Sequence, residues 1–320
     1  MIVLVCTGGR VVRLEGGEAG WRRSEALAGT GAQCLALDPA DPEHALVGCR
    51  GGGVHESRDG GRGWRDAGLG EPDVFSVAVS AADGAVYAGT EPSRLFRRAD
   101  ADGGWEELVA LQEIPSRPTW SFPPRPWTSH VRAIAADPGR TERLLVGIEL
   151  GGLMRSDDAG TSWSDHRPGA QRDVHALAWH PRAPDRAYEA GGGGAAWSRD
   201  GGSAWEPADA GREHRYCWAL AVDPEDPDVW FVSAASGPRA AHAGGSTEVG
   251  LYRWEGPGPW RRVGAGLPEP LDAMPYALAS APDGLIAGMR DGRLFLSSDR
   301  GESWRALPPA GAPIAALAAY

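Results

Sequence analysis

The chain has 320 residues, 42% of them apolar, with 46 Gly and 26 Pro, which is enough to fill a large core but heavily punctuated for a helical protein. Its formal charge is −11, and neither Lys nor Asn occurs, which excludes Schiff-base lysine chemistry, a P-loop phosphate lysine and N-glycosylation and makes nucleic acid or an anionic membrane a poor partner. No apolar run would span a bilayer, the start MIVLVCTGGRVV lacks secretory-signal features, and Cys6, Cys34, Cys49 and Cys217 have no metal spacing, so a reduced, cytoplasmic protein is expected.

Residues 2–6, 10–14 and 20–23 read as three short strands, the last bearing Trp21. Asp38-Pro39 marks a turn. Ser57-Arg-Asp59-Gly-Gly61-Arg-Gly-Trp64 is then the first of four segments of the form S-x-D-x-G-x-x-W. A degraded copy keeps Asp100 and ends at Trp105, ahead of a long loop at 109–130. The next stretch shows the repeating unit whole. Strand A at 131–137 leads through Asp137-Pro138 to strand B at 143–149, strand C at 153–156, the second motif (Ser156 to Trp163) and strand D at 161–165. Gly191 to Gly194 is a turn and not a phosphate cradle, because no helix follows it. The third motif runs from Ser198 to Trp205, Asp223-Pro224 turns again, and a second long loop occupies 234–249. A degraded copy at Trp260 has Glu255 in place of Asp, the fourth motif runs from Ser297 to Trp304, and residues 314–319 form a last strand. No segment carries a helical apolar period over three turns, so helix content should be very low.

The seven repeat tryptophans are 43, 41, 58, 42, 55 and 44 residues apart. A base period of about 42 suits a four-stranded antiparallel blade, lengthened twice by the long loops. The N-terminus supplies strands B, C and D without A, and the C-terminus supplies an A with nothing after it. Pairing the two ends closes an all-β, seven-bladed propeller without an open edge, one domain over residues 1–320.

In its S-x-D-x-G-x-x-W turns the chain resembles the BNR, or Asp-box, repeat family. Its layout is similar to bacterial glycosyl-hydrolase-like propellers and to photosystem II assembly-factor propellers. The resemblance covers the whole chain and implies the seven-bladed fold. The motif itself is structural: Ser and Asp can bond turn N–H groups, Gly permits a positive φ, and Trp packs over the hairpin. Sialidases, with six blades and an F/Y-R-I-P motif, are a different pattern.

In such a blade the A–B and C–D turns share one face, and the B–C loops and D-to-A crossovers share the other, which therefore carries both long loops. Aligning the A strands gives two columns at the channel mouth. The outer reads Gly31, Asp73, His130, Asp173, Tyr216, Met274; the inner reads Gln33, Phe75, Arg132, His175, Trp218, Tyr276. The two-residue period of a strand points both columns the same way. Arg50, Glu91, Glu149 and Arg290 align at the tops of the B strands, and His214 and His242 fall on the same face.

Aromatic walls with a few convergent polar groups are expected to hold a small-molecule ligand. Glu149, His175, His130 and Asp173 are the candidate acid–base residues, and Arg125, Arg132 or Arg239 can clamp a carboxylate or phosphate. Arg50, Tyr216, Trp218, His242, Tyr276 and Arg290 complete the expected binding ring. The proline-stiffened loop 116–130 offers Trp120, Phe122 and Trp127 as a lid over the mouth or as anchors on a neighbouring blade. No cofactor is expected; the alternative is a divalent metal on His130, His175 and His214 with Glu149 or Asp173.

The expected function is acid–base chemistry of hydrolase, lyase or isomerase type on a polar, sugar-like or anionic ligand, with Glu149 and Asp173 as the best carboxylate pair. The alternatives are a protein-interaction or assembly scaffold on the same face, and a non-catalytic ligand sensor. A deep pocket under the 116–130 loop favours an enzyme or carrier; a broad exposed apolar patch favours a protein partner.

Overall fold

Short runs of β-branched and aromatic residues cut by Gly, Pro and Asp give antiparallel strands throughout the computed structural model, which describes the chain except residues 18, 72, 101–102, 123–127 and 246. The strands form seven antiparallel sheets in a ring. In blade 1 the last strand of the chain, Ala316–Ala319, is strand A beside Ile2–Cys6, Val11–Gly17 and Gly20–Ala26, pairing Val3 with Ala319 and Cys6 with Ala316. This junction of the termini closes the propeller. The A strands of blades 2 to 7 are Ala32–Leu37, Val74–Val79, Val131–Ala136, Val174–His180, Tyr216–Val222 and Pro275–Ala281. Each packs against the next around the channel, and Ala316–Ala319 packs against Ala32–Leu37. Among the described residues helix is confined to the two long loops: Pro238–His242 is α-helical, and Val109–Glu113 and Arg117–Thr119 are 3-10 turns.

One expected strand is cut down. In blade 4 the fourth strand at 161–165 shrinks to a single bridge between Arg155 and Ser164 among the described residues. Side chains take its place. Asp165 accepts from the N–H and hydroxyl of Ser116, and His166 Nδ1 accepts the Leu153 N–H at 3.2 Å, a donor that a continuous strand would have used.

The S-x-D-x-G-x-x-W turns close on themselves. In the fourth, the Ser297 hydroxyl donates to Asp299 at 2.7 Å and accepts the Gly301 N–H at 2.8 Å, Asp299 accepts the Ser303 N–H at 2.9 Å, and the Trp304 indole donates to Gly301 O at 3.0 Å. The other three turns repeat the Ser–Asp and Ser–Gly bonds. Trp205 and Trp304 are buried, whereas Trp64 and Trp163 are only half-buried, so the tryptophans do not contribute equally to the core. Arginines of the C strands tie these turns from blade to blade. Arg13 Nε donates to Gly60 O at 2.7 Å, Arg155 Nε to Gly201 O at 2.9 Å, and Arg253 Nη1 to Arg300 O at 2.8 Å. The apolar core lies between blades; Leu145, for example, packs with Val174 and Trp179 of the next one.

Candidate functional site

In six A strands the register against strand B slips at the same height: between Ala32 and Cys34, Val74 and Ser76, Val131 and Ala133, Val174 and Ala176, Cys217 and Leu220, and Pro275 and Ala277. The residue left over in each is the inner-column residue, joined in blade 6 by Ala219. An extra residue in one strand is a β-bulge, which bends the strand and re-aims a side chain. All six inner-column residues consequently line a central cavity of about 190 Å³.

A glycine of strand B stands opposite four of the bulges: Gly48, Gly89, Gly147 and Gly288 pair with Cys34, Ser76, Ala133 and Ala277. A Cβ on Gly147 would lie 2.4 Å from Val174 Cγ1 of the next blade, so the missing side chain lets adjacent blades close up around the channel. Each of these glycines sits two residues before Arg50, Glu91, Glu149 or Arg290, and that recurrence is the sequence signal that marks the bulge.

The carbonyl of the last residue before a bulge accepts from the preceding blade. Gln33 Nε2 donates to Val74 O at 2.8 Å, Ser76 Oγ to Val131 O at 2.8 Å, and His175 Nδ1 to Cys217 O at 2.6 Å. For His175 this fixes the chemistry of the ring. A carbonyl only accepts, so Nδ1 carries the hydrogen and Nε2 presents a lone pair in the neutral imidazole. Nε2 is buried, has no hydrogen-bond partner among the described residues, and lies 3.5 Å from Asp173 Oδ1. Glu149, Asp173 and His175 each bring a ligand-capable atom within 4.8 Å of the others.

Glu149 follows strand B of blade 4 (Leu144–Ile148) and is 6% exposed. It accepts from His130 Nε2 at 2.7 Å, and Arg132 Nε stands 3.6 Å from the same oxygen. Burial alone would raise its pKa; the His130 hydrogen bond and the nearby Arg132 and imidazoles outweigh that and hold it at about 2. His130 is itself buried, stacked on Phe75 with ring centres 4.1 Å apart and met edge-on by Phe122. Its Nδ1 lies 3.5 Å from Glu91, which also accepts from Thr128.

On the opposite side of the mouth His242, on the short helix of the second long loop, bridges two tyrosines. Tyr216 OH is 3.0 Å from its Nε2, and Tyr276 OH bonds its Nδ1. Burial pushes both phenols up and the imidazole down, so the set is neutral, and the ring donates to one tyrosine and accepts from the other. Trp218 tilts against His175 and Tyr276, with the Arg132 guanidinium 4.6 Å above its ring. Arg50 and Arg290 lie over Phe75 and Tyr276.

Two expected ligand-binding positions fall elsewhere, and two are not among the described residues. Trp120 is buried in the apolar cluster with Leu111, Ile114 and Ile148 and donates to Ser116 Oγ, so it anchors its loop and does not line the cavity. Arg239 is exposed on the Pro238–His242 helix, away from the cavity. Arg125 and Trp127 lie outside the described residues. His214 stands outside the group formed by Glu149, Asp173 and His175, so the expected three-histidine metal set is not assembled. A larger cavity, about 370 Å³, opens on the opposite face between Asp223, Phe231, Leu285 and Arg300. There Asp223 is already taken up by Arg300 at 2.8 Å and by the N–H groups of Glu225 and Asp226.

No protein-family model matches the chain, and no curated protein matches it, so the likeness of the turns to the repeat family rests on the motifs themselves. Solved structures do match. The GH74 xyloglucanase from Xanthomonas campestris is 18% identical with a TM-score of 0.67, over 95% of this chain and 46% of that one. YCF48 from Cyanidioschyzon merolae is 13% identical with a TM-score of 0.56, over 89% of this chain and 87% of that one. A YCF48 bound to D1 peptide is 18% identical with a TM-score of 0.54, over 87% and 82%. The chain spans less than half the length of the xyloglucanase. At these identities the likeness carries the propeller fold, which the xyloglucanase and YCF48 share.

Proposed function

We propose that the chain binds a polar small molecule, sugar-like or anionic, at the loop-rich mouth of its channel and acts on it by proton transfer. The observation that carries this reading is the buried, unpartnered Nε2 of His175, facing Asp173 and within reach of Glu149 at the rim of a cavity walled by Phe75, Trp218 and Tyr276. Aromatic faces suit the C–H surface of a sugar, and Arg132, half-buried over Trp218, is placed to meet a carboxylate or phosphate. Glu149, held ionised, serves as base, nucleophile or charge stabiliser and not as proton donor; the imidazole of His175 moves the proton. The approach of Glu149 and Asp173 to within 4.8 Å is near the spacing of about 5–5.5 Å in a retaining glycosidase pair, and the fold of the xyloglucanase supports the same ligand class. Among the described residues only Val109 and Leu150 are large exposed hydrophobics, which favours a small ligand over a broad apolar partner. The scaffold reading draws on one observation, the near full-length match to YCF48, one structure of which holds a peptide.

Thermal-shift and calorimetric titrations against neutral monosaccharides, uronates and sugar phosphates test the proposal. The parent is expected to bind at least one of them, and Arg132→Ala or Trp218→Ala to lose that binding with the fold intact. A parent that binds none of the panel overturns the reading.

A further inference from the structure

One contact at the mouth leaves bonding capacity unused. With Nδ1 bonded to Cys217 O at 2.6 Å, His175 turns Nε2 toward the Asp173 carboxylate at 3.5 Å. Nε2 has no hydrogen-bond partner among the described residues, the His175 side chain is fully buried, and that of Asp173 is 24% exposed. Glu149 adds a second carboxylate within 4.8 Å. His130 and Arg132 both address its Oε2, which leaves Oε1 without a hydrogen bond among the described residues.

We propose that Glu149, Asp173 and His175 form a binding site for a divalent first-row cation of the Zn²⁺ type. One neutral imidazole and two carboxylates neutralise the charge of the ion, and three protein ligands leave a fourth position for water. The spacing agrees. Tetrahedral bonds of about 2.1 Å put ligand atoms about 3.4 Å apart, and Asp173 Oδ1 and His175 Nε2 are 3.5 Å apart. The outer arrangement agrees too. A ligating histidine ordinarily donates its other ring N–H to a carbonyl or carboxylate, which orients the ring and fixes its tautomer, and here Cys217 O does this from the next blade. His130 orients Glu149 in the same way. The site does not depend on the small-molecule reading, because it stands on the ring geometry alone.

The test is a Zn²⁺ titration of the chelator-stripped full chain in competition with a chromophoric chelator, beside Co²⁺ absorption spectra. One equivalent is expected to bind, with the d–d bands of a low-coordinate site for Co²⁺. Asp173→Ala and His175→Ala should each weaken Zn²⁺ binding by more than about 100-fold, beyond the roughly 10–100-fold that loss of an outer partner costs. His214→Ala should leave it unchanged. Thermal midpoints of each variant confirm folding, and His175→Gln serves if His175→Ala does not fold. The inference is overturned if the parent binds no equivalent, if binding survives both Asp173→Ala and loss of the His175 ring, or if Ca²⁺ competes on equal terms and the ring is dispensable. None of these outcomes bears on whether sugars or uronates bind at the cavity, but an ion held on Nε2 would occupy the lone pair through which His175 moves a proton, so the bound ion and that proton transfer exclude each other.

Discussion

Asp299 in a turn on one face and Glu149 at the mouth on the other both have pKa values held at about 2, for different reasons. Asp299 is exposed, and the Ser303 hydroxyl, the Ser303 N–H and the Ser297 hydroxyl supply its stabilisation. Glu149 is buried, and its ionised state stands against desolvation through His130 and Arg132. The turn is a closed set of bonds. The mouth is not: His175 Nε2, His130 Nδ1 and Arg132 Nε are buried without hydrogen-bond partners among the described residues. A lowered pKa thus separates neither face from the other. Unsatisfied polar atoms occur on the turn side as well, Trp163 Nε1 and Arg253 Nε among them; what sets the mouth apart is that His175, His130 and Arg132 gather theirs around one carboxylate, Glu149.

Four measurements would break or sharpen that contrast. Trp205 is 4% exposed and donates to Gly202 O, so Trp205→Ala should cost about 3–5 kcal/mol in denaturant unfolding. Half-buried Trp163 should cost clearly less, and equal losses would mean that the turns are not graded by burial as described.

Glu189 of blade 5 is a buried acid that belongs to neither face. Among the described residues its one hydrogen bond is from the Gln171 N–H, and burial lifts its pKa to about 8. The folded state therefore holds a proton that the unfolded state releases at the ordinary value near 4.5, and this stability is full below that value and lost as pH rises through 8. Glu189→Gln keeps the acceptor and removes the charge. It should be more stable than the parent by roughly 4–5 kcal/mol at pH 8.5 and nearly indistinguishable from it at pH 4. A parent whose stability does not fall between these pH values would contradict the assignment.

Ser297→Ala strands the buried Gly301 N–H and should cost roughly 1–3 kcal/mol, with no change in ligand or metal binding. Asp173→Asn, by contrast, removes a half-buried charge that no strong bond satisfies. It should move unfolding by less than about 0.5 kcal/mol while abolishing binding at the mouth. If Ser297→Ala impaired binding, or Asp173→Asn collapsed the fold, the division between the two faces would fail.

The fold was legible because tryptophans on a base period of about 42, with short β-patterned runs between them and no helical apolar period, point to a repeated blade, and because strands B to D at one end and A at the other need one another. The candidate site was legible in outline, since repeated blades put aligned A-strand residues at one height. What escaped has local causes. Four of the six bulges face a strand-B glycine, whose effect is visible only when a side chain of the next blade, such as Val174 or Val131, is in place. The missing strand of blade 4 depends on Ser116, far away in sequence. The burial of Trp120 depends on the 3-10 turns that fold its loop inward, and the bridging role of His242 depends on a helix of five residues. The arginine clamps between blades likewise need two chain segments at once.

The most direct test of an unsatisfied mouth is nitrogen-detected NMR of the His175 imidazole, with and without Zn²⁺. The account predicts a slowly exchanging hydrogen on Nδ1 throughout, and an Nε2 resonance that shifts on addition of one equivalent of the ion. Two protonated nitrogens that Zn²⁺ leaves unmoved would contradict it.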